Sequence, residues 1–152
     1  MISINEAKSR LFEEIKHLQS KKMPVSQCEG YILADDLHSE YDIPLFNQSA
    51  MDGYAVRVDE ETLAAEKQIT LPIAGEVQAG AQFNKSMPPN SAVRIFTGAA
   101  VPKQAGCVVR QEYAETDGES VTISSEDIAG ENNIRPAGAQ IKKGDLALKK
   151  GL

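Results

Sequence analysis

The chain has 152 residues, of which 41% are hydrophobic and 25% charged, enough for one domain or two small lobes around a modest core. A formal net charge of −6 leaves no basic surplus to displace phosphate counterions, which argues against a nucleic-acid partner. The opening MISINEAKSR has no apolar signal core and no stretch reaches bilayer length, so the expectation is a cytoplasmic protein without a membrane partner.

Ser3 followed by Glu6 is a capping-box pattern, and Ile4, Leu11, Ile15 and Leu18 recur at helical spacing with Ala7 on the same stripe. Lys21 and Lys22 suit the negative end of a helix dipole and Pro24 stops the pattern, so one amphipathic helix is predicted over 4–21. Its stripe needs a partner, in this chain or in another subunit. A second capping box, Ser26 to Glu29, predicts a short helix through Ala34. The pattern then changes to short β-rich runs at 54–58, 69–75, 92–96, 107–112 and 120–124, punctuated by Gly, Pro, Asn and Asp. Such runs predict a small barrel or sandwich, with helix confined to Glu60–Lys67. The polar run 124–133 reads as a mobile link. GDLALKKG (144–151) reads as a returning strand that pairs beside Leu37–Tyr41.

The predicted fold class is α+β, mainly β: a helix-and-strand lobe with a small β-barrel lobe inserted in it. The boundaries are 1–44 for the first part of that lobe, 45–132 for the barrel and 133–152 for the returning segment. Cys28 and Cys107 lie among apolar neighbours and read as small core residues. With His17 and His38 the only histidines, no zinc spacing exists and nothing supports a Cys–His nucleophile.

The chemistry-bearing candidates lie at turns. SAMDG places Asp52 directly before Gly53, a tight-turn signal between an extended entry and a strand. Such a turn holds a short, stiff acid at an edge, where it can meet a ligand or a metal, although a hairpin turn with a solvated aspartate is the plainer reading. Ser49, three residues upstream, reads first as a hydroxyl that fixes the turn. Thr97 ends the run AVRIF and precedes Gly98, so its hydroxyl and the following N–H groups lie at an edge able to bind an oxyanion; a capping hydroxyl is the alternative. Arg94 and Arg135 can each grip an oxyanion such as phosphate with a guanidinium fork. Arg94 also reads as an outward-facing strand residue. Gly75 and Gly80, in GEVQAG, lack phosphate-loop spacing and a following helix, so they read as turn glycines.

CEGYILADD (28–36), PLFNQSAMDGYAVR (44–57), GEVQAGA (75–81), AVRIFTGAAVPKQAGCVVRQE (92–112) and NIRPAGAQIKKGDLALKKG (133–151) occur in that order. Together they resemble the N-terminal half of the molybdopterin molybdenumtransferases, the MoeA family, which includes the E domain of gephyrin. The resemblance covers nearly the whole chain. It implies insertion of molybdate into adenylylated molybdopterin with help from Mg²⁺, and a homodimer in which the β-lobe of one subunit approaches the pterin domain of the other. Molybdopterin adenylyltransferase and the molybdenum-cofactor enzymes are further partners it implies. Carried over, it makes Asp52 catalytic and metal-binding and Thr97 catalytic, with Ser49, Gly98 and Arg135 binding the cofactor.

Two departures from the family pattern remove acids: Asn47-Gln48 stands where the family has Asp-Asn, and Ala139-Gln140 where it has Glu-Asp. The family also continues into a pterin-binding domain and a small C-terminal β-domain. The chain is therefore expected to be a fragment of a longer enzyme, inactive alone. The alternative is a non-catalytic dimerisation or interaction module of molybdenum-cofactor synthesis.

Overall fold

The computed structural model of the chain describes residues 2–16, 18–130 and 132–152. Two compact units divide it: Met1–Leu37 with Leu148–Leu152, and His38–Ala147. Parts of the expected first helix (His17) and of the expected polar link (Glu131) lie outside the described residues.

In the first unit, α1 spans Ile4–Glu14 and starts as the capping signal indicates, with the Ser3 hydroxyl accepting the Glu6 N–H at 3.2 Å. Arg10 and Glu6 form an i,i+4 ion pair at 2.9 Å. The helix is shorter than predicted, because Ile15 is already extended. No residue of α1 is buried, so the later part of the stripe gains no packing energy to set against its ordering cost. The expected helix over 26–34 is only a 3-10 turn, Val25–Gln27. Gly30 adopts a left-handed φ of 81°, and the Leu33 N–H turns away to the Leu152 carbonyl at 2.8 Å.

β1 (Leu37–His38) pairs with β10 (Leu146–Leu148), the returning strand expected from the sequence. β2 (Gln48–Ser49) pairs antiparallel with β9 (Ile134–Arg135), a ladder too short to show in the hydrophobic pattern. The remaining strands are β3 (Gly53–Arg57), β4 (Gln68–Val77), β5 (Ser91–Ile95), β6 (Cys107–Arg110), β7 (Ala114–Thr116) and β8 (Ser120–Ser124). They form one six-stranded sheet in the order β6-β3-β5-β4-β8-β7.

The sheet is a curled half-barrel, and β4 makes the curl. Its first half pairs antiparallel with β8 and its second half parallel with β5, with a register break between Ile73 and Glu76. Gly75 lies inside that break, and a Cβ there would meet the Phe83 ring at 3.0 Å. The protein is thus mixed α and β, mostly strand.

Both faces of the central strands are covered. Tyr54, Val56, Ala92, Cys107 and Val109 join Leu71 and Ile123 on one side. Ala55, Val93, Ile95 and Val108 join Val77 and Met87 on the other. That is why YAVRV, AVRIF and CVVR are near-continuous apolar runs and not alternating ones. Cys107 is part of this core, while Cys28 is half-buried and its thiol donates to the Pro24 carbonyl at 3.3 Å.

α2 (Glu60–Ala65) starts on Asp59, whose carboxylate accepts the Thr62 N–H at 2.8 Å. α3 (Ser125–Gly130) occupies most of the stretch expected to be a loose link. Ser124 and Asp127 cap it: the Ser124 hydroxyl accepts the Asp127 N–H at 3.0 Å and donates to the Asp127 carboxylate at 2.5 Å. Ile128 then anchors it in the core. Among the described residues, no helix is long and apolar enough to cross a membrane.

Candidate functional site

The turn that carries Asp52 runs from β2 into β3 and is held by the loop that follows β5. Ser49, at the end of β2, is buried; its hydroxyl donates to the Met51 carbonyl at 2.5 Å and accepts the Met51 N–H at 3.3 Å. Its backbone is fixed as well, because the Ser49 N–H donates to Ala99 O and the Gly98 N–H to Ser49 O, each at 2.9 Å. Ser49 therefore shapes the turn, through Met51 and not through a Ser-x-x-Asp box with Asp52. Gly98 takes a φ of 83° to close the second turn against it.

Asp52 leaves this turn pointing at Thr97. One carboxylate oxygen, Oδ1, accepts both the Thr97 N–H and the Thr97 hydroxyl, each at 2.8 Å. The Thr97 N–H and then the Thr97 hydroxyl hold the Asp52 carboxyl below its ordinary range; desolvation opposes them, and the Arg94 guanidinium adds the least. Asp52 is exposed and Oδ2 has no hydrogen-bond partner among the described residues. The edge thus presents a carboxylate that stays ionised, with one oxygen tied and the other open.

Thr97 and Gly98 do not form the oxyanion-binding edge that their position allowed. The Thr97 N–H goes to Asp52, the Gly98 N–H to Ser49 O and the Ala99 N–H to Phe96 O at 2.9 Å, so three successive donors are already committed. What remains at Thr97 is its hydroxyl oxygen, whose proton is donated to Asp52.

Gly53 corrects the turn argument. It opens β3, and its φ is not in the left-handed region. Glycine is required there by proximity: an added Cβ would lie 2.0 Å from the Val109 carbonyl oxygen, far inside contact distance. The signal read as Asp-Gly turn chemistry is in fact a strand packed too tightly for a side chain.

Arg94 is neither a free anion grip nor a plain surface residue. It is half-buried, donates to Gly53 O at 3.1 Å and to the Gln111 side chain at 2.6 Å, and lies over the rings of Tyr54 and Phe96 at 5.1 and 4.8 Å. Gln111 in turn donates its N–H to Asp52 O at 3.0 Å. Gln111 follows β6 and its sequence gave no sign of this role. Arg135 sits opposite Gln48 across the β2–β9 ladder, so the two side chains leave on the same side. Arg135 is exposed, and no described side chain pairs with it.

Asn47 keeps the geometry that an aspartate would supply there, its side-chain oxygen accepting the Ala137 N–H at 2.9 Å. Ala139 and Gln140 are exposed in the turn before Ile141. Among the described residues no three His, Cys, Asp or Glu side chains converge on a metal position. The donors present, one open carboxylate oxygen beside a hydroxyl, fit a hard cation held mainly by phosphate and water, and do not fit a closed protein cage. A groove of about 610 Å³ lies elsewhere on the same unit, between Phe46, Phe83, Lys85 and Lys103, and neither Asp52 nor Thr97 lines it. The groove is the larger feature, while the Asp52 edge carries the ordered acid.

Residues 2–152 match the family model for the MoeA N-terminal region, domains I and II. Molybdopterin molybdenumtransferase of Haemophilus influenzae is 34% identical over 152 residues, 99% of this chain and 37% of the relative. Molybdopterin molybdenumtransferase 2 of Mycobacterium tuberculosis is 32% identical, with 99% and 37% covered. The crystal structure of a molybdopterin biosynthesis moeA protein from Pyrococcus horikoshii superimposes with a TM-score of 0.81 at 31% identity, covering 96% of this chain and 39% of that one. The chain spans little more than a third of the length of the relatives it matches. A match from residue 2 to residue 152 and a shared fold at this identity establish that the chain belongs to the MoeA family, of which it carries the N-terminal region.

Proposed function

We propose that this chain supplies one edge of the site at which molybdate is inserted into adenylylated molybdopterin. The observation that carries this is the Asp52 carboxylate, held ionised by two donors from Thr97 and open on its other oxygen. Breaking a phosphoanhydride builds charge on phosphate oxygens, and Mg²⁺, when bound, would neutralise it. Asp52 Oδ2 would hold such a cation, with the Thr97 hydroxyl fixing the direction of the carboxylate. Ser49 and Gly98 hold the two turns together, and Arg135 offers an exposed guanidinium to an anionic substrate.

On this reading the pterin-binding part of the site comes from a longer polypeptide, and the working form is a cytoplasmic homodimer. Ile4, Leu11, Phe12 and Ile15 of the α1 region are 78%, 63%, 72% and 64% exposed, an apolar face consistent with a second subunit. Molybdopterin adenylyltransferase and the molybdenum-cofactor enzymes are the further partners of this reading. The same exposed face also favours a second reading, a non-catalytic dimerisation module, to which the missing acids at 139 and 140 add weight.

A fusion separates the two. Residues 1–152 joined to the remainder of the Haemophilus influenzae relative should restore molybdenum-cofactor formation in cells lacking the transferase, and residues 1–152 alone should not. Asp52→Ala in the fusion should abolish the rescue and Thr97→Val should weaken it. Rescue that survives both substitutions would remove the catalytic reading and leave the module.

A further inference from the structure

Arg94 lies in the strand next to the site and reaches the turn that carries Asp52 from two sides. One guanidinium nitrogen donates to the carbonyl of Gly53, immediately after Asp52. The other donates to the side chain of Gln111, whose backbone N–H holds the carbonyl of Asp52 itself. The carbonyls of both residues that set the backbone direction at Asp52 are therefore tied, one directly to Arg94 and one through Gln111. The Asp52 side chain, leaving a backbone held in this way, lands on Thr97.

The rings fix the guanidinium in turn. Tyr54 is the cross-strand neighbour of Arg94, and Phe96, two residues on and just past the end of β5, lies against the same guanidinium. With ring centres at 5.1 and 4.8 Å, the two aromatics hold the guanidinium where its fork meets both acceptors. Lysine has the charge but neither the plane nor the fork.

We propose that Arg94 is a positioning residue for Asp52, setting the turn so that the carboxylate meets Thr97, and that it is not a grip for the substrate anion. This rests on the reading of Asp52 as the working acid, but its test does not depend on that reading.

The first measurement is the Thr97 amide resonance in the 152-residue protein, with Asp52→Ala as the reference for a lost hydrogen bond. Arg94→Lys should move the Thr97 amide most of the way to that reference, while the amides of Ala55 and Val93 in the same ladder stay in place. Gln111→Ala alters an exposed side chain, leaves the core intact and should move Thr97 in the same direction. A Thr97 amide unmoved in both variants would overturn the proposal.

The second measurement uses the active fusion. A misplaced acid should lower kcat by about ten- to a hundred-fold with KM for the pterin substrate and molybdate little changed. A raised KM with kcat retained would mean that Arg94 grips the anion, and the proposal would fall. Should Asp52→Ala leave the fusion fully active, the functional reading fails, and the amide experiment still decides whether Arg94 positions Asp52.

Discussion

Gly53→Ala is the perturbation whose outcome the structure determines most sharply. The added carbon would stand 2.0 Å from the Val109 oxygen, 2.9 Å from its carbonyl carbon and 3.1 Å from the Arg110 Cα. All three are backbone atoms of β6, so no side-chain rotation relieves the contact. Strand β6 is at the edge of the sheet; among the described strands it pairs with β3 alone, through Gly53↔Arg110 to Val56↔Cys107, and its outer edge is held by Asn132 and Asn133 at Val108. The available response is to splay β6 away, which weakens ladder bonds at that end and loosens Val108 and Val109, both fully buried. Overpacking of about 1–3 kcal/mol and one or two lost hydrogen bonds at about 1 kcal/mol each give a loss of about 2–5 kcal/mol. For a chain of this length that lowers Tm by roughly 4–20 °C. Urea and thermal unfolding followed by circular dichroism measure it directly. Gly106→Ala is the control: its Cβ would meet only Val56 O, at an ordinary 3.9 Å, and Tm should barely move. A Gly53→Ala protein that melts with the wild type would refute the argument that close approach, and not turn geometry, demands glycine beside Asp52.

The other predictions concern the core and the acids. Ile95 is fully buried beside Val77, Val93 and Val108, so Ile95→Ala should cost about 2–5 kcal/mol in urea unfolding. Asp52, Asp59 and Asp117 are all held below the ordinary 3.8 chiefly by backbone N–H donors, those of Thr97, Thr62 and Ser120 respectively. Their folded values are depressed, so the unfolded chain binds more protons as the pH falls; the stability they give is present above 3.8 and disappears as pH drops through the lower folded values. Tm should therefore change little on their account from pH 7 to about 5 and decline below about 4. Asn at all three positions should flatten that decline, and an unaltered profile would show that the three acids do not cause it.

Much of the sheet was legible because its strands are buried on both faces. SVTIS at 120–124 became β8 residue for residue, and YAVRV, AVRIF and CVVRQE lie within one or two residues of β3, β5 and β6. The helices were read less well, since a capping signal marks where a helix can begin and not whether packing sustains it. Ser3 started a helix that ended early, and Ser26 lies inside a mere turn that it does not cap, while Ser124 and Asp127, a pattern equally visible, cap a helix read as a loose link. Ile128 was the difference, for it has a core to enter. At the site, Asp52 and Thr97 were found as separate turn residues, and their direct contact depends on a register set across 45 positions of sequence. Gln111 could not be found at all. Its role is a backbone N–H and an amide placed by the end of β6, a matter of tertiary position with no composition of its own.

The lost acids give the remaining prediction its direction. At Asn47, where the resemblance places an acid, the role visible here is to accept the Ala137 N–H, and an amide oxygen does that as a carboxylate would. Gln140 differs. Its backbone N–H donates to Ile43 O at 2.8 Å whatever the side chain, and the side chain itself is exposed and makes no hydrogen bond among the described residues. The amide at 140 therefore has no structural task that an acid would disturb, and Gln140→Asp should leave Tm nearly unchanged, within the small range usual for surface substitutions. A carboxylate is a far better ligand for a hard cation than an amide. If position 140 faces the same substrate-borne cation as Asp52, Gln140→Asp in the active fusion should lower the Mg²⁺ concentration needed for half-maximal turnover, and Gln140→Ala should leave it where it is. A Mg²⁺ dependence identical in all three proteins would detach position 140 from the metal.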